Sequence, residues 1–279
     1  MYLPVLGSIA CLAVVPAVAL AQEGSKPSAW QKAHEAGWKA YQEGRITEAE
    51  TQLRAAAKET RAFGARDPRV ATTLDHLAWA FIVQGKLDEA DPLARWALGS
   101  RERLFGKEDH AVAESLNTLA SLRDAQGRFD EAEPLYRRCL AIEEKAKGAD
   151  HPNVAALLDN LATVQHARRR FDEAEKTYRR ALAIREKAPG PEDRDLAPTL
   201  HNLATLHLDR GHHAEAEPLY RRALAIREKA LGAEHPEVVA SLDALARTLL
   251  ALGKYDEADR LEARARALRT KLARADDAR

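Results

Sequence analysis

The residues of this chain that could do metal or nucleophile chemistry are its ten histidines and two cysteines, and their spacing argues against both uses. His201 and His207 stand six apart, so they do not share a helix face, whereas a helical metal site uses ligands four apart. His212 and His213 are adjacent in a turn and cannot both reach one ion easily. His151 and His235 each precede a proline at a helix start, which is a capping place. Cys139 has no His or Asp at a spacing that suggests a base. No glycine-rich phosphate loop and no serine-nucleophile motif occurs. These patterns point away from an enzyme, a resident metal or any other cofactor. Cys11 lies in an N-terminal apolar segment, so a processed form keeps Cys139 alone and has no internal disulfide.

The elements that carry these residues repeat. Gly127–Ile142 reads GRFDEAEPLYRRCLAI, and it returns at Arg170–Ile184 and Gly211–Ile226. Looser copies start at Gly85 and Gly253, and the alanine of "EA" falls at Ala90, Ala132, Ala174, Ala216 and Ala258, a period of 42 residues. A weaker copy places Ala49 one residue off that period. Self-similarity of this size marks a stacked array in which each unit packs on its neighbours. Cys139 occupies the place of Ala97, Ala181, Ala223 and Ala265, so a small buried side chain is expected there. Lys+Arg and Asp+Glu balance at 43 each, which leaves no field to attract nucleic acid or an anionic membrane.

Each unit reads as two helices. The first carries Leu-x-x-Leu-Ala, as in Leu116/Leu119/Ala120 and Leu200/Leu203/Ala204, one apolar face at helical spacing. It stops at Gly44, Gly85, Gly127, Gly211 or Gly253, with Arg169 in that place once, where the turn is expected to be hardest to form. The second opens on acidic pairs such as Asp130-Glu131, which complement a helix dipole. Pro92, Pro134 and Pro218 sit early in second helices, and Pro68, Pro152 and Pro236 start first helices. The arginines of Glu133/Arg137, Glu175/Arg179 and Glu217/Arg221 stand four residues after their acids, so a self-paired solvated face is expected.

The pattern Leu-x-x-Leu-Ala, then Gly-x-Phe/Tyr-Asp-Glu-Ala-Glu, then Leu-Tyr-Arg-Arg-Ala-Leu-Ala-Ile-Arg-Glu-Lys resembles tetratricopeptide repeats of the 42-residue kind found in kinesin light chains and many bacterial proteins. The resemblance covers about Ala29 to Ala273, and the divergent first copy keeps the family's small residues as Gly37 and Ala49. It implies an all-α fold, a right-handed superhelical solenoid of antiparallel helix pairs, with about six units near 29–66, 67–108, 109–150, 151–192, 193–234 and 235–273 and a tail at 274–279. It also implies a concave groove, lined by the first helices, that binds a peptide or partner protein.

On that implied groove the candidate positions are Asp75, His76, Asn117, Asp159, Asn160, His201, Asn202 and Asp243, with Trp38, Tyr41, Trp79 and Ile82 as an apolar patch toward the N-terminal end. In family members an Asn at the places of Asn160 and Asn202 often bonds the main chain of a bound peptide. An amide donates and accepts at once, which suits an extended backbone of any sequence. Acids (Asp75, Glu114, Asp124, Asp159, Asp209, Asp243) outnumber the one base, Arg247, along this row, so a neutral to basic extended segment is the expected ligand. The acidic cargo and terminal-carboxylate ligands of other family members are put in doubt by the missing bases. Trp30 and Trp96 lie off this face.

Leu3–Ala21 is uncharged and mostly apolar and ends Ala19-Leu20-Ala21, so residues 1–21 are expected to be a signal peptide cleaved after Ala21, although no Lys or Arg precedes the apolar run. Residues 22–28 then form a polar leader expected to lack order, and the protein is expected in the periplasm or secreted, with no membrane span after processing. Glu262 stands where other units have Tyr136, Tyr178 and Tyr220, as fits a helix that caps the array against water, so a monomer or weak dimer is expected. The leading reading is an exported interaction scaffold. A structural assembly subunit acting through its convex face or ends is the alternative, and an enzyme or metal carrier a remote third.

Overall fold

A computed structural model describes residues 28–64, 66–187 and 194–277, with side chains through 274. The expected signal peptide and all but Ser28 of the expected leader lie outside the described residues. The described chain holds twelve α-helices: α1 (Ala29–Gln42), α2 (Ile46–Glu59), α3 (Pro68–Val83), α4 (Leu87–Phe105), α5 (His110–Ala125), α6 (Phe129–Lys147), α7 (Pro152–Ala167), α8 (Phe171–Lys187), α9 (Leu196–Asp209), α10 (His213–Leu231), α11 (Pro236–Ala251) and α12 (Tyr255–Asp277). Among the described residues a single 3-10 turn, Thr60–Ala62, follows α2, and α12 runs to Asp277, into the stretch where a tail was expected. Two compact units divide the chain at Asn160/Leu161, inside α7.

Helix ends follow local chemistry. Ser28 and Gln31 form a reciprocal capping box at α1. Asp67 and Asp109 accept the backbone N–H two residues on at α3 and α5. The Nδ1 atoms of His151 and His235 do the same for Asn153 and Glu237, so both histidines are caps. Where first helices turn into second ones the chain takes a left-handed residue. Gly127 has φ 70°, and Arg169 holds φ 61° without the freedom of glycine.

Small residues let the paired helices touch. A Cβ on Gly37 would meet Leu53 Cγ at 2.8 Å and its backbone nitrogen at 3.0 Å, so α1 and α2 need glycine there. Ala49, Ala120, Ala132, Ala204 and Ala216 are all buried, as are Leu116, Leu200 and Leu203. The tyrosines of the second helices add one buried hydrogen bond per pair: Tyr136–Ser121 at 2.8 Å, Tyr178–Thr163 at 2.9 Å and Tyr220–Thr205 at 2.8 Å. Cys139 is buried and its thiol donates to the carbonyl of Ala113 at 3.1 Å; burial also raises its pKa, so it is an inert core residue. Outside, Arg137, Arg179 and Arg221 each reach the glutamate one turn back at 2.8 Å.

Candidate functional site

In the first unit, the expected groove residues on α3 and α5 lead inward. Asp75 is fully buried, and its Oδ2 lies 2.9 Å from the guanidinium of Arg101 on α4. Arg101 also reaches Glu114 on α5 at 2.6 Å and donates to Ser115 Oγ and Thr72 Oγ1. Ser115 in turn donates to Asp75. His76 Nε2 sits 3.1 Å from Glu114 Oε1. One guanidinium thus serves two buried carboxylates. Burial and the neighbouring Glu114 charge push the Asp75 carboxyl up against the pull of Arg101. Glu114 goes the other way: burial opposes its charge, but Arg101 and then His76 outweigh it and hold it ionised.

On the outer side of this cluster five rings stack. Trp30 lies on His34 (5.0 Å, 17°), His34 on His76 (4.9 Å, 15°), His76 on Trp38 (4.0 Å, 17°) and Trp38 on Tyr41 (5.1 Å, 11°). α1 supplies four of the five because 30, 34, 38 and 41 share one face at helical spacing. Trp30 Nε1 donates to Thr73 Oγ1 at 2.9 Å, so the tryptophan given no role in the sequence fastens the ladder to α3. Burial, then the adjacent His76, lowers His34 to about 4 against the opposing pull of Glu114.

These contacts correct several expectations. Trp79 (1% exposed) and Ile82 are core residues and form no surface patch. Trp79 stands in register with Ser121, Thr163 and Thr205, and the place of the partner tyrosine is taken by Ala94, also buried. Large has been exchanged for small across the pair, and the indole fills the volume that the tyrosine fills elsewhere. Trp38 and Tyr41 keep part of their surface. Asp75, His76, Asn117, Asp159 and His201 are buried, because neighbouring helices cover the face that a single helical wheel leaves open. Of the acids along the row, Asp75 is paired with Arg101 and Asp243 with Arg269.

The spacing of these pairs was visible in the sequence. Arg101, Arg227 and Arg269 each follow Asp75, His201 and Asp243 by 26 residues, and Arg185 follows Asp159 likewise. Where the arginine becomes Glu143, the aspartate becomes Asn117, which avoids two facing carboxylates. Glu143 instead lies 2.7 Å from His110 and 3.3 Å from Lys147.

In the second unit His201 lies 3.4 Å from Arg227 and meets the Tyr220 ring edge-on at 5.1 Å. Burial and then Arg227 lower it to about 3, so it is neutral. Arg227 also donates to Ser241 Oγ at 2.6 Å. Asn202 is part-exposed and its side-chain amide makes no hydrogen bond among the described residues; in the first unit the same is true of the Asn160 amide. Asn117, the other asparagine expected on the groove, is enclosed. Among the described residues no group of three His, Cys, Asp or Glu side chains could hold a metal ion, and no helix is long and apolar enough to cross a membrane.

A family model described as tetratricopeptide repeat matches residues 84–145, 111–187, 153–229 and 195–271, together more than half of the chain. No curated protein sequence matches. Among solved structures, a Podosopora anserina protein with nearly identical kinesin-light-chain TPR-like repeats is 28% identical over 74% of this chain and 98% of its own, with a TM-score of 0.64. BtubC (BKLC) from P. vanneervenii is 22% identical over 88% of this chain and 93% of its own, with a TM-score of 0.65. PilW, a widely conserved type IV pilus biogenesis factor, is 17% identical over 88% of this chain and all of its own, also with a TM-score of 0.65. The last two likenesses are of fold.

Proposed function

This chain belongs to the tetratricopeptide repeat family, and from that premise we propose that it is a non-catalytic scaffold that binds an extended segment of a partner protein along its first helices. The observation that carries the reading is the sorting of the first-helix row. Asp75, His76, Trp79, Asn117, Asp159 and His201 are buried, while the amides of Asn160 and Asn202 stay part-exposed without internal partners. A free amide on a rigid helix offers a donor and an acceptor to a main chain without demanding particular side chains. Trp38 and Tyr41, part-exposed on α1, supply apolar contact.

The expected preference for a neutral to basic segment is no longer supported by Asp75 or Asp243, whose charges are met by arginines. The right-handed superhelix, the monomeric or weakly dimeric state and the export of the chain belong to the same reading. Export rests on residues 1–21 of the sequence, and the N-terminal peptide of the native protein, found by mass spectrometry to begin at Gln22 or not, tests it.

The binding test compares capture of envelope proteins by the chain from Gln22 to Arg279 with capture by the Asn160→Ala, Asn202→Ala double variant. A partner held by the first and lost by the second, with unchanged thermal stability, supports the amide row. Equal capture by both defeats it.

A further inference from the structure

Successive second helices are tied to one another by a recurring ion pair. Arg138 reaches Glu102 at 2.6 Å, Arg222 reaches Glu186 at 2.5 Å and Arg264 reaches Glu228 at 2.5 Å, each acid standing thirty-six residues earlier. At α4 both members of the tie are gone. Trp96 takes the arginine's place, and thirty-six residues before it stands Thr60 instead of an acid. The indole is 37% exposed, whereas the Thr60 hydroxyl turns back to the carbonyl of Ala57 at 2.7 Å.

One turn beyond Trp96, Gly99 replaces the alanine of Ala141, Ala183, Ala225 and Ala267. Glycine inside a helix is destabilising relative to alanine. Packing does not require it here: the backbone is helical, and an added Cβ would meet only the tip of the Arg103 guanidinium, at 3.4 Å. Pro92, Trp96, Gly99 and Arg103 follow at helical spacing, so one stripe of α4 carries an aromatic knob beside a notch.

We propose that this stripe is the surface by which two copies of the chain pair, α4 against α4 in antiparallel sense. Knob and notch are self-complementary: a two-fold axis between Ala97 and Leu98 seats Trp96 of each copy on its partner's Gly99. The same axis sets Asp88, at the start of the helix, against its partner's Lys107, just past the end, because the two are equally far from it. Both side chains are exposed, and neither has an ion-pair partner among the described residues. Arg103, one turn beyond the notch, moves from it to stack its guanidinium on the incoming indole. A parallel pairing would instead bring Trp96 to Trp96 and Asp88 to Asp88. One helix face is small for a specific interface, so the dimer is weak and concentration-dependent. The stripe lies on a second helix, off the amide row, and its test does not depend on that reading.

Sedimentation velocity of the whole chain, from micromolar to near-millimolar concentration, reads the association. A reversible monomer–dimer equilibrium is expected. W96R installs the residue of the other second helices and G99L fills the notch. Each should weaken the dimer at least about ten-fold with an unchanged melting curve. D88K sets lysine against lysine and should also weaken it, and the double variant D88K/K107D should restore it. A chain that stays monomeric throughout, a dimer that W96R and G99L leave intact, or one that D88K does not weaken or K107D does not then rescue would overturn the proposal.

Discussion

Arg101 holds Asp75 at 2.9 Å with both side chains withdrawn from water, and the same guanidinium holds Glu114 at 2.6 Å. The pair joins α3 to α4 within one repeat, and Glu114 extends it to α5 in the next. A cation so placed works as a clasp between repeats. Removing it leaves two carboxylates buried without a counter-charge.

Arg101→Met is therefore expected to destabilise the chain by about 3–5 kcal/mol. Asp75→Asn should cost less, since Glu114 still neutralises the arginine. Urea unfolding at pH 7 checks the order. Equal losses for the two variants would show that the clasp is not centred on the guanidinium.

His201 offers the converse experiment. It occupies the aspartate place opposite Arg227, whose pKa is lowered by burial, and Arg227 there lacks a buried anion. His201→Asp should recreate the Asp75/Arg101 pair and stabilise the chain by about 1.5–3 kcal/mol at pH 7. A fall in the melting temperature would contradict this.

The same residue sets a pH dependence. The folded pKa of His201 lies near 3, and that of His34 near 4, both below the ordinary 6.5. Between those values the unfolded chain binds more protons, so their contribution is complete above 6.5 and is lost as pH falls toward 4 and 3. Asp124, raised to about 6 by burial, acts in the opposite sense: its contribution is present at low pH and is lost as pH rises from about 4 through 6. The His201→Asp variant should therefore lose less stability than the parent between pH 7 and pH 5. Matched urea midpoints at the two values read the difference, and an equal or greater loss would count against the histidine.

Arg169 occupies a left-handed place that glycine holds in the other turns of this kind. Arg169→Gly relieves that backbone but gives up the guanidinium over the Phe171 ring at 4.9 Å. A net gain of about 0.5–1 kcal/mol is expected by thermal melting. A loss would show that the ring contact outweighs the turn.

Gly37→Ala should cost about 1–3 kcal/mol, because the added methyl meets the Leu53 backbone as well as its side chain. Normal stability would mean that α1 and α2 separate freely, and the five-ring stack should then loosen, visible as a change in near-ultraviolet circular dichroism.

What the sequence by itself determined is local or periodic. The 42-residue register, the Leu-x-x-Leu-Ala stripe, the left-handed turn places and the capping histidines specify helices, their ends and their pairing, because each depends on neighbours a few residues away. The buried place of Cys139 could be read as well, since four alanines share it. Which side of a first helix meets water could not be read from one helix. A helical wheel divides a helix into two faces, whereas a first helix here is also flanked by its counterparts in adjoining repeats. That lateral burial turns Asp75 and Asn117 into interior residues, and Trp79 into a filler opposite Ala94. The 26-residue Asp–Arg spacing was present throughout, but spacing carries no sign of burial. Tertiary packing decided that Asp75 and Glu114, on two different first helices, meet on one buried guanidinium, that of Arg101.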